Sequence, residues 1–348
     1  MKMKTLFFHR SNDYTGSTRA LANMIEREYS GKDIAHGKIC VVTIDIKGQG
    51  FLSNLANVHI KRIWYPMIKG KRLPLFSYLI GNLHMFLIAV LYSFRFDIFY
   101  INTISPYPAV IAGRLFRKKI IYHIHEKYID HTREHKFLEW MLNNTKATRI
   151  YVSEFVRNRY PKTNDLYEVK YNKLPKSFLL KVTITPLADR PRCNIIMLSA
   201  LTIVKGILNF IELAKILPQY NFLLLLSADK NETDLFFKDA IPQNVSIICA
   251  ESNVHPFLQK SDLLLNLTIP ALCVESFGLT ILEAMAYGIP AIVPNVGGPV
   301  ELVTDGYNGY CVDVANLDIV KQKINESLAD SNYEKLVHNA LEKVNLFI

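Results

Sequence analysis

The chain has 348 residues, of which 50% are apolar and 21% charged; this excludes a disordered chain and is enough for two domains. Its 5 cysteines have no CxxC spacing and are odd in number, which excludes a complete disulfide framework and suggests buried free thiols in a reducing compartment. Charge is lopsided: residues 1–183 carry 30 Lys and Arg against 13 Asp and Glu, and residues 184–348 carry 11 against 18. A basic half points to an anionic partner, nucleic acid or an acidic membrane face, or else to a merely solvated basic surface.

In chain order, the first strand expected is Leu6–His9, because the apolar run near the N-terminus is too short for a signal peptide. Residues 11–17 form a turn-rich loop, and a helix with Leu21, Met24 and Ile25 on one face follows. Strand, small-residue loop and helix open a Rossmann-like unit, but the loop is not G-x-G-x-x-G, so no dinucleotide fingerprint is present. Residues 38–45 give the next strand. Residues 59–72 then interleave Lys61, Arg62, Lys69, Lys71 and Arg72 with Trp64, Tyr65, Met67 and Ile68. That mixture suits the headgroup layer of an anionic membrane. RNA accepts the same mixture, but no nucleic-acid fold signature accompanies it, and no nucleic-acid partner is expected. From Leu73 to Phe94 the chain carries no Asp, Glu, Lys or Arg and approaches the length of a membrane span. Pro74, Gly81, Asn82 and His84, and the strand-like residues 97–102 that resume the pattern, argue for a helix that is buried or touches a membrane.

A helix over 106–116 precedes a strand over 120–126 that ends on His125 and Glu126. Open α/β sheets bind ligands at the carboxyl ends of their strands; from position alone a histidine such as His125 more commonly packs or caps its loop. His123 shares its face of the strand. Strands over 148–153 and 168–172 complete the first sheet. Residues 183–194, with two prolines and three charges, read as a linker. Ile195–Leu198 opens a second Rossmann-like unit, followed by a loop ending in Lys205-Gly206 and a helix bearing Ile207, Phe210, Ile211 and Ala214. Strands are expected over 222–226, 245–249, 262–266 and 310–312, and helices over 317–329 and 333–346.

The most informative stretch is 275–301. Glu275 and Glu283 lie eight positions apart and bracket a helix start at Gly278, with Gly288 and Pro290 ending the helix and 291–294 forming a buried strand. A helix N-terminus favours an anion, and ionised carboxylates are strong acceptors for sugar hydroxyls. Thr280 and Glu283 also match a capping box, in which Glu283 would serve only its own helix.

The string ESFGLTILEAMAYGIPAIVPNVGGPVELVTDGYNGYCVD, with SDLLLNL ahead of it, resembles the E-x7-E region of retaining GT-B glycosyltransferases of the family 4 type. The resemblance implies an α/β chain of GT-B architecture: two facing Rossmann-like domains with a cleft between them. It implies an acceptor-binding domain over 1–183, a linker over 184–192, a nucleotide-sugar-binding domain over 193–332, and a final helix over 333–348 packing back on the first domain. The implied reaction transfers a sugar from a nucleotide-sugar donor to a saccharide acceptor. Glu275 would hold the donor sugar and Glu283 the ribose. Lys205 and the amides of Phe277, Gly278, Leu279 and Thr280 would hold the diphosphate. His125 would orient the sugar or acceptor, and Gly16 would let the backbone approach the donor phosphates or acceptor. Ala250 and Glu251 would lie at the base pocket. The pattern also carries an Arg a few residues before Lys-Gly; here Ala200 or Thr202 stands in its place, and one expected positive charge is missing. No cofactor or metal is implied, and no Asp-x-Asp occurs. The acceptor expected is lipid-linked, in surface-polysaccharide assembly, which places the protein in the cytoplasm at the inner face of the cell membrane. Two alternatives remain open: a catalytically weak glycosyltransferase-like binding subunit, and a GT-B nucleotide-sugar epimerase.

Overall fold

The computed structural model describes residues 3–29, 31–44, 50–65, 74–126, 132–160, 166–237 and 241–348. The chain divides into two compact units, Met1–Asn172 and Lys173–Ile348.

The first unit is built on a seven-stranded parallel sheet: β1 (Thr5–Ser11), β2 (Ile39–Ile44), β3 (His59–Ile63), β4 (Ile98–Asn102), β5 (Lys119–Ile124), β6 (Thr148–Tyr151) and β7 (Tyr167–Val169), in the order β3-β2-β1-β4-β5-β6-β7. Strands covered on both faces need continuous apolar runs rather than alternation. β2 and β4 are buried at every position, and so are the first five residues of β1. The helix Gly16–Glu28 buries Leu21, Met24 and Ile25 against Phe7, Ile39, Val41 and Tyr100 of the sheet. Strand order reverses between β1 and β4. Loops leaving the two strands diverge there, opening a crevice at their carboxyl ends.

Residues 59–63 of the basic run belong to the sheet. They form the edge strand β3, paired in parallel with β2, with Ile63 buried. Lys61 and Arg62 therefore sit on a sheet edge, where charge blocks pairing with another chain. Residues 66–73, with Lys69, Lys71 and Arg72, lie outside the described residues. The apolar stretch that follows is a single helix, Pro74–Ser93, long and apolar enough by composition to cross a membrane. It connects β3 to β4 within one parallel sheet, so its two ends are held on the same body and it cannot span. Ser77, Gly81, Met85, Ile88 and Ala89 face inward. A Cβ on Gly81 would come within 2.9 Å of the Tyr65 ring. The opposite side exposes Phe76, Leu79, Leu83, Leu87 and Leu91, spaced three or four residues apart.

The second unit repeats the plan with six parallel strands: β8 (Asn194–Ser199), β9 (Asn221–Leu226), β10 (Val245–Cys249), β11 (Leu263–Leu265), β12 (Ala291–Pro294) and β13 (Gly309–Val312), in the order β10-β9-β8-β11-β12-β13. Its reversal falls between β8 and β11. The helix Ile207–Ile216 buries Ile207, Phe210, Leu213 and Ala214 in a core shared with Leu224, Leu263, Ile292 and Tyr310. The final helix, Asp330–Val344, contributes Tyr333, Leu336 and Val337 to that same core. Residues 173–183 also group here: Phe178 is buried with its ring 4.4 Å from that of His255. The segment that reads as a linker is pinned by Arg190, whose guanidinium donates to the carbonyls of Tyr287 and Gly288 and to the Tyr333 hydroxyl.

Candidate active site

In the second unit the loop after β8 and the chain after β11 meet at the strand-order reversal. Ile203–Lys205 forms a 3-10 turn, and Gly206 follows at φ 77° as the N-cap of the next helix. A Cβ on Gly206 would lie 2.1 Å from the Leu267 carbonyl oxygen, so only glycine lets this turn lie against the chain leaving β11. The contact holds Lys205 beside Glu275, with the ammonium 2.5 Å from the carboxylate and both side chains partly exposed. Burial works against the Lys205 charge, but the Glu275 carboxylate outweighs it, and the lysine pKa is raised.

Glu275 is positioned from the other side by Gly297 and Gly298. The Gly298 amide donates to the Glu275 carbonyl at 2.8 Å. Added Cβ atoms would lie 2.6 Å from the Glu275 carbonyl oxygen at Gly297 and 2.1 Å from that of Ser276 at Gly298. The Gly-Gly that completes the motif thus shapes the segment carrying the first glutamate. Gly278, at φ 103°, caps the helix Leu279–Met285. The first N–H groups of a helix have no intrahelical acceptor, and the side chains of Phe277 and Leu279 are buried, so this turn can offer a ligand its backbone. Thr280 lies inside the helix rather than at its cap. The capping-box reading of Thr280 and Glu283 is thereby removed, since the box needs the threonine in extended geometry before the helix. Glu283 is fully buried.

In the first unit, polar side chains gather at the carboxyl ends of β1, β4 and β5. Asn102 is fully buried; its Oδ1 lies 2.9 Å from His125 Nε2 and its Nδ2 lies 3.0 Å from His9 Nδ1. His9 Nε2 lies 2.8 Å from the Thr18 hydroxyl, which donates to Asp13 at 2.6 Å. The His123 ring packs 4.2 Å from that of His125. Burial lowers all three histidine pKa values, that of His123 to about 3, so the rings are neutral at neutral pH. Desolvation pushes the neighbouring Glu126 up to about 7, against hydrogen bonds from Thr103 and backbone amides.

The structure thus places Lys205, Glu275, Phe277, Gly278, Leu279, Thr280 and Glu283 together in the second unit, and His125 in the first. Gly16 starts a helix, and nothing stands within 4 Å of an added Cβ, so packing does not require glycine there. Ala250 sits in the left-handed region at φ 52°, just past β10. Ala200 and Thr202 occupy the turn before Lys205 and bring no cation. Sequence reasoning missed Asn102, His9, Thr18 and Asp13 as partners of His125. Their only sequence signal was polar residues at the ends of apolar strands. Among the described residues no cluster of three or more His, Cys, Asp or Glu could hold a metal ion.

Residues 188–343 match the family Glycosyl transferases group 1. Over 69 residues the chain is 42% identical to a sucrose synthase of Melioribacter roseus, covering 20% of this chain and 9% of that protein. Over 126 residues it is 34% identical to the N-acetyl-alpha-D-glucosaminyl L-malate synthase of Bacillus anthracis, covering 35% of this chain and 32% of that one. The chain therefore spans a third or less of these two relatives. Among solved structures, Anabaena Alr3699/HepE in complex with UDP and glucose superposes with a TM-score of 0.80 at 19% identity, covering 100% of this chain and 96% of that one. The chain thus has the GT-B fold, and its residues 188–343 are similar to the family Glycosyl transferases group 1.

Proposed function

We propose that the protein is a retaining glycosyltransferase that moves a sugar from a nucleotide-sugar donor to a saccharide acceptor. The observation that carries this reading is the Lys205–Glu275 pair at the strand-order reversal of the second unit, shaped by Gly206, Gly297 and Gly298. The difficult step separates a sugar cation from an anionic diphosphate. Lys205 and the Gly278–Thr280 backbone stabilise the departing diphosphate, Glu275 holds the sugar where positive charge develops, and Glu283 takes the ribose. His125 holds a sugar hydroxyl. The Anabaena structure contains UDP and glucose, which makes UDP the first nucleotide to test.

Lys205→Ala should weaken UDP binding roughly tenfold to a hundredfold and leave uridine binding unchanged, since a charge-assisted contact contributes about 1.5–3 kcal/mol. Glu275→Gln should keep UDP affinity at or above its normal value, because it releases Lys205, while turnover falls by about a hundredfold. Calorimetry with UDP and uridine, beside turnover of a donor sugar, checks both. Unchanged UDP binding in Lys205→Ala would show the phosphates misplaced. Normal turnover in Glu275→Gln would make Glu275 a structural acid, and absent turnover in the unmodified protein would favour a binding subunit, the reading to which the missing cation at Ala200 or Thr202 lends support.

The acceptor we propose is lipid-linked, within surface-polysaccharide assembly, with the enzyme peripheral at the inner membrane face. The support is the exposed apolar face of the helix Pro74–Ser93, continued by Phe94 at 80% and Leu115 at 67% exposure. Exposed Arg95, Arg114, Arg117 and Lys119 lie close by in the chain. Apolar side chains beside a basic rim suit shallow insertion into anionic lipid. Leu87→Glu combined with Leu91→Glu should reduce sedimentation with anionic vesicles at least about tenfold, and added salt should weaken the unmodified protein's binding. Equal, salt-independent binding to neutral vesicles would remove the basic rim from the argument.

A further inference from the structure

We propose that Asn102 is a positioning residue that fixes the tautomer of His125, so that His125 presents a bare Nδ1 as hydrogen-bond acceptor to a sugar hydroxyl. The proposal rests on the reading above that His125 serves sugar transfer. It follows from donor and acceptor bookkeeping in a buried chain whose two ends allow one assignment.

The first fixed point is the amide of Asn102. Its Nδ2 atom lies 3.2 Å from the Ser17 carbonyl oxygen. A carbonyl only accepts, so the atom facing it must be the NH2 group. Oδ1 is therefore the atom 2.9 Å from His125 Nε2. It too only accepts, so Nε2 carries the proton. The second fixed point is Asp13, which takes hydrogen bonds from Ser11, Thr15 and Thr18. Burial opposes its ionisation, but these donors outweigh it, so the carboxylate is ionised and acceptor-only. The single Thr18 hydroxyl proton goes to Asp13 at 2.6 Å, leaving the oxygen to accept from His9 Nε2 at 2.8 Å. His9 Nδ1 is then the bare nitrogen and accepts from Asn102 Nδ2 at 3.0 Å, which is shorter than its 3.5 Å approach to the Asn102 carbonyl oxygen. Both ends give the same orientation of Asn102.

His125 is a neutral ring, so a proton on Nε2 leaves Nδ1 with its lone pair. Among the described residues Nδ1 has no hydrogen-bond partner, and His125 as a residue remains 8% exposed. His123, tilted 49° against it, is neutral and bonds the Tyr100 hydroxyl at 3.0 Å. The groups that bear on the His125 charge are therefore His123 and His9, both neutral, while the adjacent Glu126 carboxyl accepts from the His125 backbone amide at 3.3 Å. The device makes His125 an acceptor towards sugar and prevents it from acting as a cation towards phosphate.

The test is a long-range 1H–15N spectrum of the whole protein labelled at histidine, with His125 assigned by His125→Gln. The expected pattern is a pyrrole-type Nε2 and a pyridine-type Nδ1 for both His125 and His9. Asn102→Asp keeps the shape and puts a carboxylate beside both rings. It should turn His125 into an imidazolium near pH 7, lower kcat about tenfold or more with little change in donor KM, and let activity recover as pH rises. A His125 proton on Nδ1 in the unmodified protein would overturn the proposal, and so would an unshifted His125 titration in a folded Asn102→Asp. If the spectra are as expected but neither Asn102→Asp nor His125→Gln alters turnover, the tautomer assignment stands and the catalytic reading of His125 fails.

Discussion

Between pH 7 and pH 5 the first unit should lose stability. His9, His123 and His125 are buried and their pKa values are lowered from 6.5. The unfolded chain takes up protons there as pH falls below about 6.5, and the folded chain does not. Stability is therefore full above that pH and is lost as pH falls, by up to about 1.4 kcal/mol per pH unit for each ring. By pH 5 this amounts to roughly 2 kcal/mol for His123, whose pKa is lowered to about 3. Glu126 acts in the opposite sense: its pKa is raised to about 7, so the folded state takes up a proton before the unfolded one and offsets about one histidine. His9 and His125 then set the net loss, in a domain that only about 5–15 kcal/mol typically holds together. Both tryptophans, Trp64 and Trp140, lie in this unit, so urea unfolding followed by tryptophan fluorescence reports on it alone. Glu126→Gln should steepen the loss by removing the opposing proton. A urea midpoint that stays level from pH 7 to pH 5 would mean that these rings are solvated or already charged in the folded state.

That acid sensitivity was not legible in the sequence, whereas the sheet it belongs to largely was. Apolar runs such as those at β2, β4 and β9 announce strands covered on both faces, because nothing else buries five consecutive large side chains in so short a stretch. β3 was hidden because an edge strand is only half covered; its Lys61 and Arg62 read as a basic surface, which they are, but one held by pairing with β2. In the second unit the motif was contiguous, so Glu275, the Gly278 cap and the Gly297-Gly298 pair could be read together. The Lys205–Glu275 contact joins residues 70 positions apart, and no local pattern encodes it. The partners of His125 are equally dispersed: Asn102 is 23 positions away, and His9 lies a further 93 from Asn102. Parallel sheets bring distant strand ends together, so a site at a strand-order reversal is assembled from fragments that carry little signal singly.

Gly206→Ala should destabilise the second unit by about 3 kcal/mol and cost nucleotide binding as well. Two effects add. The residue sits at φ 77°, and a side chain in the left-handed region costs roughly 1–2 kcal/mol. The new Cβ would also lie 2.1 Å from the Leu267 carbonyl oxygen and 2.7 Å from the Leu267 Cβ. A backbone oxygen cannot swing aside as a side-chain terminus can, so the turn must move away from the chain leaving β11; such overpacking costs about 1–3 kcal/mol. For a unit of this size the melting temperature should fall by roughly 10 °C. The turn that moves carries Lys205, so UDP affinity should drop even at temperatures where the protein is fully folded. Gly16→Ala is the control. It has open space around its Cβ and no positive φ, and it begins a helix, so its melting temperature should stay level or rise slightly. Any loss of turnover in Gly16→Ala then reports an approach of substrate to that backbone rather than a weakened fold. If Gly206→Ala melts within about 2 °C of the unmodified protein, the turn does not lie against Leu267, and the contact that sets Lys205 beside Glu275 must be sought elsewhere.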